Sequence, residues 1–229
     1  MSPPAMAEST SARAIRTPRA AALAGIAFSA LYAVGLVLIR TAIPADPDDA
    51  GQWLTDSGRR GTVLFALGLV PFAGIAFLWF VGVIRDRLGE AEDKFFGTVF
   101  LGSGLLFVAM LFAAAALAAG MVSAAGDSAD KLVSSGTWEF GRQAAYELMV
   151  VYAMRMAAVC TLVISTILRR TSLAPRWLVA AGYAIAIVLL LTVGYVPWVE
   201  FLFPAWVLAL SLHVLISSMR RSAEAVHPA

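Results

Sequence analysis

The chain has 229 residues, of which 60% are hydrophobic and only 14% charged, with a formal net charge of +2. Soluble domains are typically ~45–50% apolar and ~25% charged, so an ordinary soluble enzyme and a disordered chain are both excluded. Cys160 is the lone cysteine, which excludes a secreted disulfide scaffold. The small net charge gives no reason to expect a nucleic-acid partner.

Residues 1–19 are rich in Pro, Ser, Thr and Ala and carry Arg13, Arg16 and Arg19. They read as a disordered basic tail. The rival reading is a signal peptide, whose apolar core is ~7–15 residues. The run that follows, 20–39, is longer, and the best cleavage site, after Ala45, has Ile43 where a small residue is wanted.

Six apolar blocks then fall near 20–39, 62–84, 96–123, 144–168, 177–196 and 199–217. Each is long enough to cross a hydrocarbon layer ~30 Å thick as a helix. Lipid offers nothing to an unpaired backbone group, and barrel strands would alternate over ~10-residue segments. The expectation is an all-α polytopic transmembrane bundle of six spans, with a C-terminal tail at 218–229.

In the first span, Ala21, Gly25, Ser29 and Ala33 form a stripe of small residues at a four-residue spacing. Such stripes let helix backbones approach closely in lipid. In the loop after it, Asp46 suits a helix cap and Pro47 the first helical position, and the segment is expected to stop at Gly58. Trp53 and Leu54 would then lie on the membrane surface. Asp46, Asp48, Asp49 and Asp56 also suggest a cation site, but Ala50 and Ser57 stand where a Ca²⁺ loop needs ligands.

Pro71 in the second span and Pro204 in the sixth are expected to kink their helices. The loop RDRLGEAEDKFF reads as a solvated helical extension, and Trp138 and Phe140 as anchors at the outer start of the fourth span. That span has its own small stripe, Ala153, Ala157, Thr161 and Ser165, and spans five and six meet in a tight hairpin at 196–199.

Orientation follows from Lys and Arg in short loops. Eleven lie on the side of the termini (Arg13, Arg16, Arg19, Arg85, Arg87, Lys94, Arg169, Arg170, Arg176, Arg220 and Arg221). Five lie opposite (Arg40, Arg59, Arg60, Lys131 and Arg142), which places both termini in the cytoplasm.

The remaining basic residue, Arg155, sits inside the fourth span. An Arg at such depth costs ~2.5–3.5 kcal/mol on insertion scales, and it stays charged. Two carboxylates are within conceivable reach. Glu147 lies eight residues earlier, and Glu200 is close to the outer end of span six. Arg155, Glu147 and Glu200 are expected to form one buried polar cluster, with Tyr146, Tyr152 and Tyr195 as hydrogen-bond partners. The cluster is either a structural ion pair that fixes helix register or a substrate or proton site.

His213 lacks the second histidine that a membrane haem needs, and the last-span His has no Gly-x-Ser-Gly on the fourth span to make a rhomboid-type protease. No span holds a Lys for a retinal Schiff base, and HExxH, GxGxxG and phosphate-cradling Gly-Lys-Ser/Thr motifs are absent. No catalytic, cofactor-binding or metal-ligating residues are assigned, and an enzyme is not expected.

The stretch GVIRDRLGEAEDKFFGTVFLGSGLLFVAMLFAAAALAAG, with the later FPAWVLALSLHVLI, resembles an uncharacterised six-helix integral membrane protein family of actinobacteria with no assigned activity. The resemblance covers most of the chain after residue 20 and implies a bacterial plasma-membrane location. Two main functions remain open, beside a third, a membrane enzyme using Glu147 or Glu200 as a base. One is a non-enzymatic membrane component or accessory subunit, partnered by the bilayer and by another membrane protein or further copies of itself. The other is a small transporter or permeation unit for a proton or small anion, centred on Arg155 with Glu147 and Glu200.

Overall fold

The computed structural model describes residues 18–43, 51–88, 94–126, 129–192 and 198–226. Nearly all of them are helical, and no strand occurs among them. The long helices are α1 (Pro18–Ala42), α2 (Ser57–Leu88) and α3 (Lys94–Ala125). A short α4 (Ala129–Val133) leads to α5 (Gly136–Tyr146). A π-helical stretch, Glu147–Ala153, joins α5 to α6 (Met154–Thr171), and α7 (Arg176–Thr192) and α8 (Leu202–Val226) complete the order.

Five helical runs are long and apolar enough to cross a membrane. They are α1, α2, α3, the run from α5 through α6, and the run through α8. The shorter α7 has 17 residues. The outside of the bundle carries exposed Phe65, Phe72, Ile75, Leu105 and Leu191. An apolar exterior of that extent belongs in lipid rather than water. The chain is therefore a multi-pass membrane protein.

Side by side, α7, α6, α3, α2, α1 and α8 pack in that order, and α8 returns to touch α7. At the centre, Phe28, Phe77, Phe107 and Phe203 come from α1, α2, α3 and α8. Every pair of these rings has centroids 4.8–6.1 Å apart. Edge-to-face aromatic pairs add ~0.5–1.5 kcal/mol each beyond burial, so this cluster ties four helices together.

Small residues set the closest approaches. Ala153, Ala157, Thr161 and Ser165 are all fully buried, as are Ala21 and Ser29, so both stripes are internal packing faces. A Cβ at Gly25 would land on Ser211 Oγ, and one at Gly182 on Ser165 Oγ and 2.8 Å from the Trp206 ring. Trp206 Nε1 donates to the Leu178 carbonyl oxygen at 3.1 Å and fixes α8 against α7.

Several sequence expectations are corrected. Gly58 does not end a helix; it lies in the first turn of α2. Asp56 caps that turn, its Oδ1 accepting from the backbone N–H of Gly58 at 2.8 Å and of Arg59 at 3.2 Å. Trp53 and Leu54, on a 3₁₀ turn at Gln52–Thr55, are buried rather than spread on the membrane surface. Trp53 packs on the equally buried Trp138, with ring centroids 6.3 Å apart, so Trp138 is a core residue and only Phe140 is exposed. Pro204 falls in the first turn of α8, where a missing N–H breaks no helical hydrogen bond. Pro71 does lie within α2. The expected cap at Asp46–Pro47 and the hairpin residues Val196 and Pro197 lie outside the described residues.

Candidate functional site

α6 buries Ala157, Ala158, Thr161, Ile164, Ser165 and Leu168. Arg155, Val159, Leu162 and Thr166 are less buried and recur at spacings of four, three and four. That spacing defines one face of a helix. On that face Val159 packs on the core, and Thr166 Oγ1 accepts from the Tyr183 hydroxyl of α7 at 2.9 Å. Arg155 itself is half-buried, beside the exposed Tyr152 and Leu162. It is the lone charge between Glu147 and Arg169. At ~1.5 Å rise per residue it lies ~12 Å along the axis from the first and ~21 Å from the second.

The expected cluster does not form. Arg155 has no hydrogen bond or ion pair among the described residues, whereas Glu147 Oε1 accepts from Gln143 Nε2 at 3.1 Å. Helical side chains lean toward the N-terminus. Glu147 therefore leans away from Arg155, toward the preceding turn where Gln143 stands. The π stretch between them also changes the register that uniform α-helical spacing assumes. Tyr146 and Tyr152 are exposed, and Tyr195 lies outside the described residues.

Glu200 belongs to a different pair. Arg40 Nη2 donates to both carboxylate oxygens of Glu200, at 3.2 and 3.0 Å. The Glu200 side chain is 8% exposed and that of Arg40 33%. The Arg40 guanidinium also lies over the Trp198 ring, 4.6 Å from its centroid. Trp198 adopts the left-handed backbone region (φ 69°) at the start of the turn that carries Glu200, which brings ring and carboxylate to the same guanidinium. The group clamps the C-terminal end of α1 to the entry of α8. Arg40 entered the sequence reading only as a loop charge.

The three residues thus share no single site. Arg155 is a half-buried cation without an acceptor among the described residues, Glu147 accepts from Gln143, and Glu200 completes an interhelical clamp. His213 lies half-buried on α8. No group of three or more potential metal ligands occurs among the described residues.

A cavity of about 250 Å³ opens between α1, α2, α3 and α5, toward the C-terminal ends of α1 and α3. Its wall is almost wholly apolar, with Trp53 and Trp138 near one end and Ala115 and Ala118 of α3 along one side. Arg142 and Tyr146, both exposed, lie where it reaches the surface. A narrow inner cavity abuts it through the shared Ile39, Val70, Leu111 and Met149, and Tyr32 lines that inner end.

No family model, curated protein or solved structure matches the chain.

Proposed function

We propose that the protein is a non-enzymatic component of a bacterial plasma membrane, an accessory subunit whose Arg155 pairs with a carboxylate on a span of another membrane protein. In this reading it crosses six times with both termini in the cytoplasm, following the eleven-to-five bias of Lys and Arg. The reading is carried by one observation. A permanent cation lies half-buried on α6, beside the exposed Tyr152 and Leu162, without an acceptor among the described residues. Intramembrane charges generally pair with one another or with backbone carbonyls.

A second copy of this chain is a poor acceptor. Copies inserted with the same orientation bring Arg155 to the depth of Arg155, and Glu147 lies ~12 Å away along the axis. A carboxylate on a different chain meets the charge directly. The permeation reading needs Arg155, Glu147 and Glu200 around one path, and they are dispersed.

The test compares wild type, Arg155→Lys and Arg155→Leu in native membranes by native electrophoresis, and the same purified proteins by thermal unfolding. The expected result is a complex larger than the single chain for wild type and Arg155→Lys. Arg155→Leu would lose that complex while its melting temperature is maintained. A single-chain species for wild type, or an intact complex in Arg155→Leu, overturns the proposal.

A further inference from the structure

The chain leaves α6 through Ser172, which adopts the left-handed backbone region (φ 54°), and enters α7 at Arg176. An open cavity of about 620 Å³ lies in that corner, between the C-terminal end of α6 and the N-terminal half of α7. Its volume is within the ~300–1,000 Å³ typical of ligand sites. Leu168, Val179 and Tyr183 line its apolar part, and Arg169, Ser172 and Arg176 its polar part.

The two guanidinium groups set the chemistry. Arg169 lies 5.9 Å from the centre of the Tyr183 ring, and the Tyr183 hydroxyl donates to Thr166 Oγ1 at 2.9 Å, so the ring beneath Arg169 is itself held. Arg170 turns elsewhere, to the Phe96 ring of α3. Arg176 opens α7, where the helix dipole disfavours a cation, so helix stability does not account for it. Neither Arg169 nor Arg176 is paired with a carboxylate among the described residues. Two permanent cations lining one cavity repel each other, and an anion between them relieves both.

Location selects the anion. The apolar run through α6 ends at Thr171, which sets the cavity where hydrocarbon gives way to lipid headgroups. Leu173 and Trp177 beside it are 54% and 64% exposed, and Trp favours that boundary. Guanidinium forks match phosphate oxygens, and basic pockets between spanning helices take lipid headgroups. We infer that the cavity binds the phosphate of an anionic phospholipid, held by Arg169 and Arg176, with the glycerol and first acyl carbons against Leu168, Val179 and Tyr183. Arg155 does not line the cavity, so the inference stands apart from the proposed partner contact.

The test titrates the full chain, purified in a non-ionic detergent, with short-chain phosphatidylglycerol or with phosphatidylcholine of the same chains. Native mass spectrometry counts the lipids bound. Phosphatidylglycerol is expected to bind saturably and more tightly than phosphatidylcholine. Arg169→Gln and Arg176→Gln each weaken it roughly fivefold, the worth of one basic contact to an anionic headgroup. Arg220→Gln removes an equal charge from α8, outside the cavity, and leaves binding unchanged. Ala180→Phe, or the milder Ala180→Leu should the first not fold, keeps both charges but fills the cavity and weakens phosphatidylglycerol. Equal binding of the two lipids, an equal loss in Arg220→Gln, or indifference to the filled cavity overturns the site. Soluble glycerol 3-phosphate that binds as tightly as phosphatidylglycerol overturns the lipid as the source of the phosphate.

Discussion

The Arg40–Glu200 clamp gives an asymmetric prediction. Replacing Arg40 by Ala strands a carboxylate whose side chain is 8% exposed, while replacing Glu200 by Ala leaves a guanidinium that is 33% exposed and still covers Trp198. Breaking a buried pair costs ~3–5 kcal/mol when the survivor stays buried and charged. Water reaches Arg40, so the expected loss for Arg40→Ala is discounted to ~2–3 kcal/mol. For Glu200→Ala the expected loss is ~1 kcal/mol, since the arginine keeps its solvation and its ring contact.

At ~2–4 °C per kcal/mol for a chain of this size, Arg40→Ala lowers the melting temperature by ~4–12 °C and Glu200→Ala by ~2–4 °C. The double variant loses less than the sum, with a coupling of ~1–2 kcal/mol. The assay is thermal unfolding in nanodiscs, followed by far-ultraviolet circular dichroism for all four proteins. If Glu200→Ala costs as much as Arg40→Ala, or the two losses add, the clamp is not a buried ion pair.

Two further outcomes test the packing and the caps. Gly182→Ala forces a Cβ onto Ser165 Oγ and the Trp206 ring, so it should destabilise by ~1–3 kcal/mol. Gly68→Ala, with nothing within 4 Å of its Cβ, should be neutral or stabilising by up to ~1 kcal/mol in the same melt. Asp56→Ala removes the α2 cap and should cost ~0.5–2 kcal/mol, with Asp56→Asn recovering most of it; equal melting of the two variants would remove the capping role.

The long helices were legible because hydrocarbon thickness sets a length that apolar runs such as 62–84 and 96–123 reveal directly. The small-residue stripes at Gly25 and Thr161 were legible for a related reason. In lipid, close backbone approach replaces the hydrophobic drive, so small residues at a four-residue spacing mark the packed faces. Arg40 was not legible as a clamp. Its acceptor, Glu200, stands 160 residues away, and only the adjacency of α1 and α8 brings them together. Trp53 and Trp138 followed a general preference of Trp for the membrane surface, but here each covers the other. The π stretch at Glu147–Ala153 has no composition that distinguishes it from α-helix. Arg155 was visible as a charge within an apolar run; that it is half-buried and meets neither Glu147 nor Glu200 was not, because that depends on how α6 is turned against its neighbours.

The claim on which the functional reading turns is that the side chain at 155 faces lipid within the isolated chain. A spin label at Arg155→Cys, in a Cys160→Ser background in nanodiscs, reports this through its collision rates with oxygen and with a water-soluble nickel chelate. The account predicts oxygen accessibility well above nickel accessibility, somewhat below that of a label at the exposed Leu162. A label reached readily by nickel, or one shielded from both reagents, contradicts it.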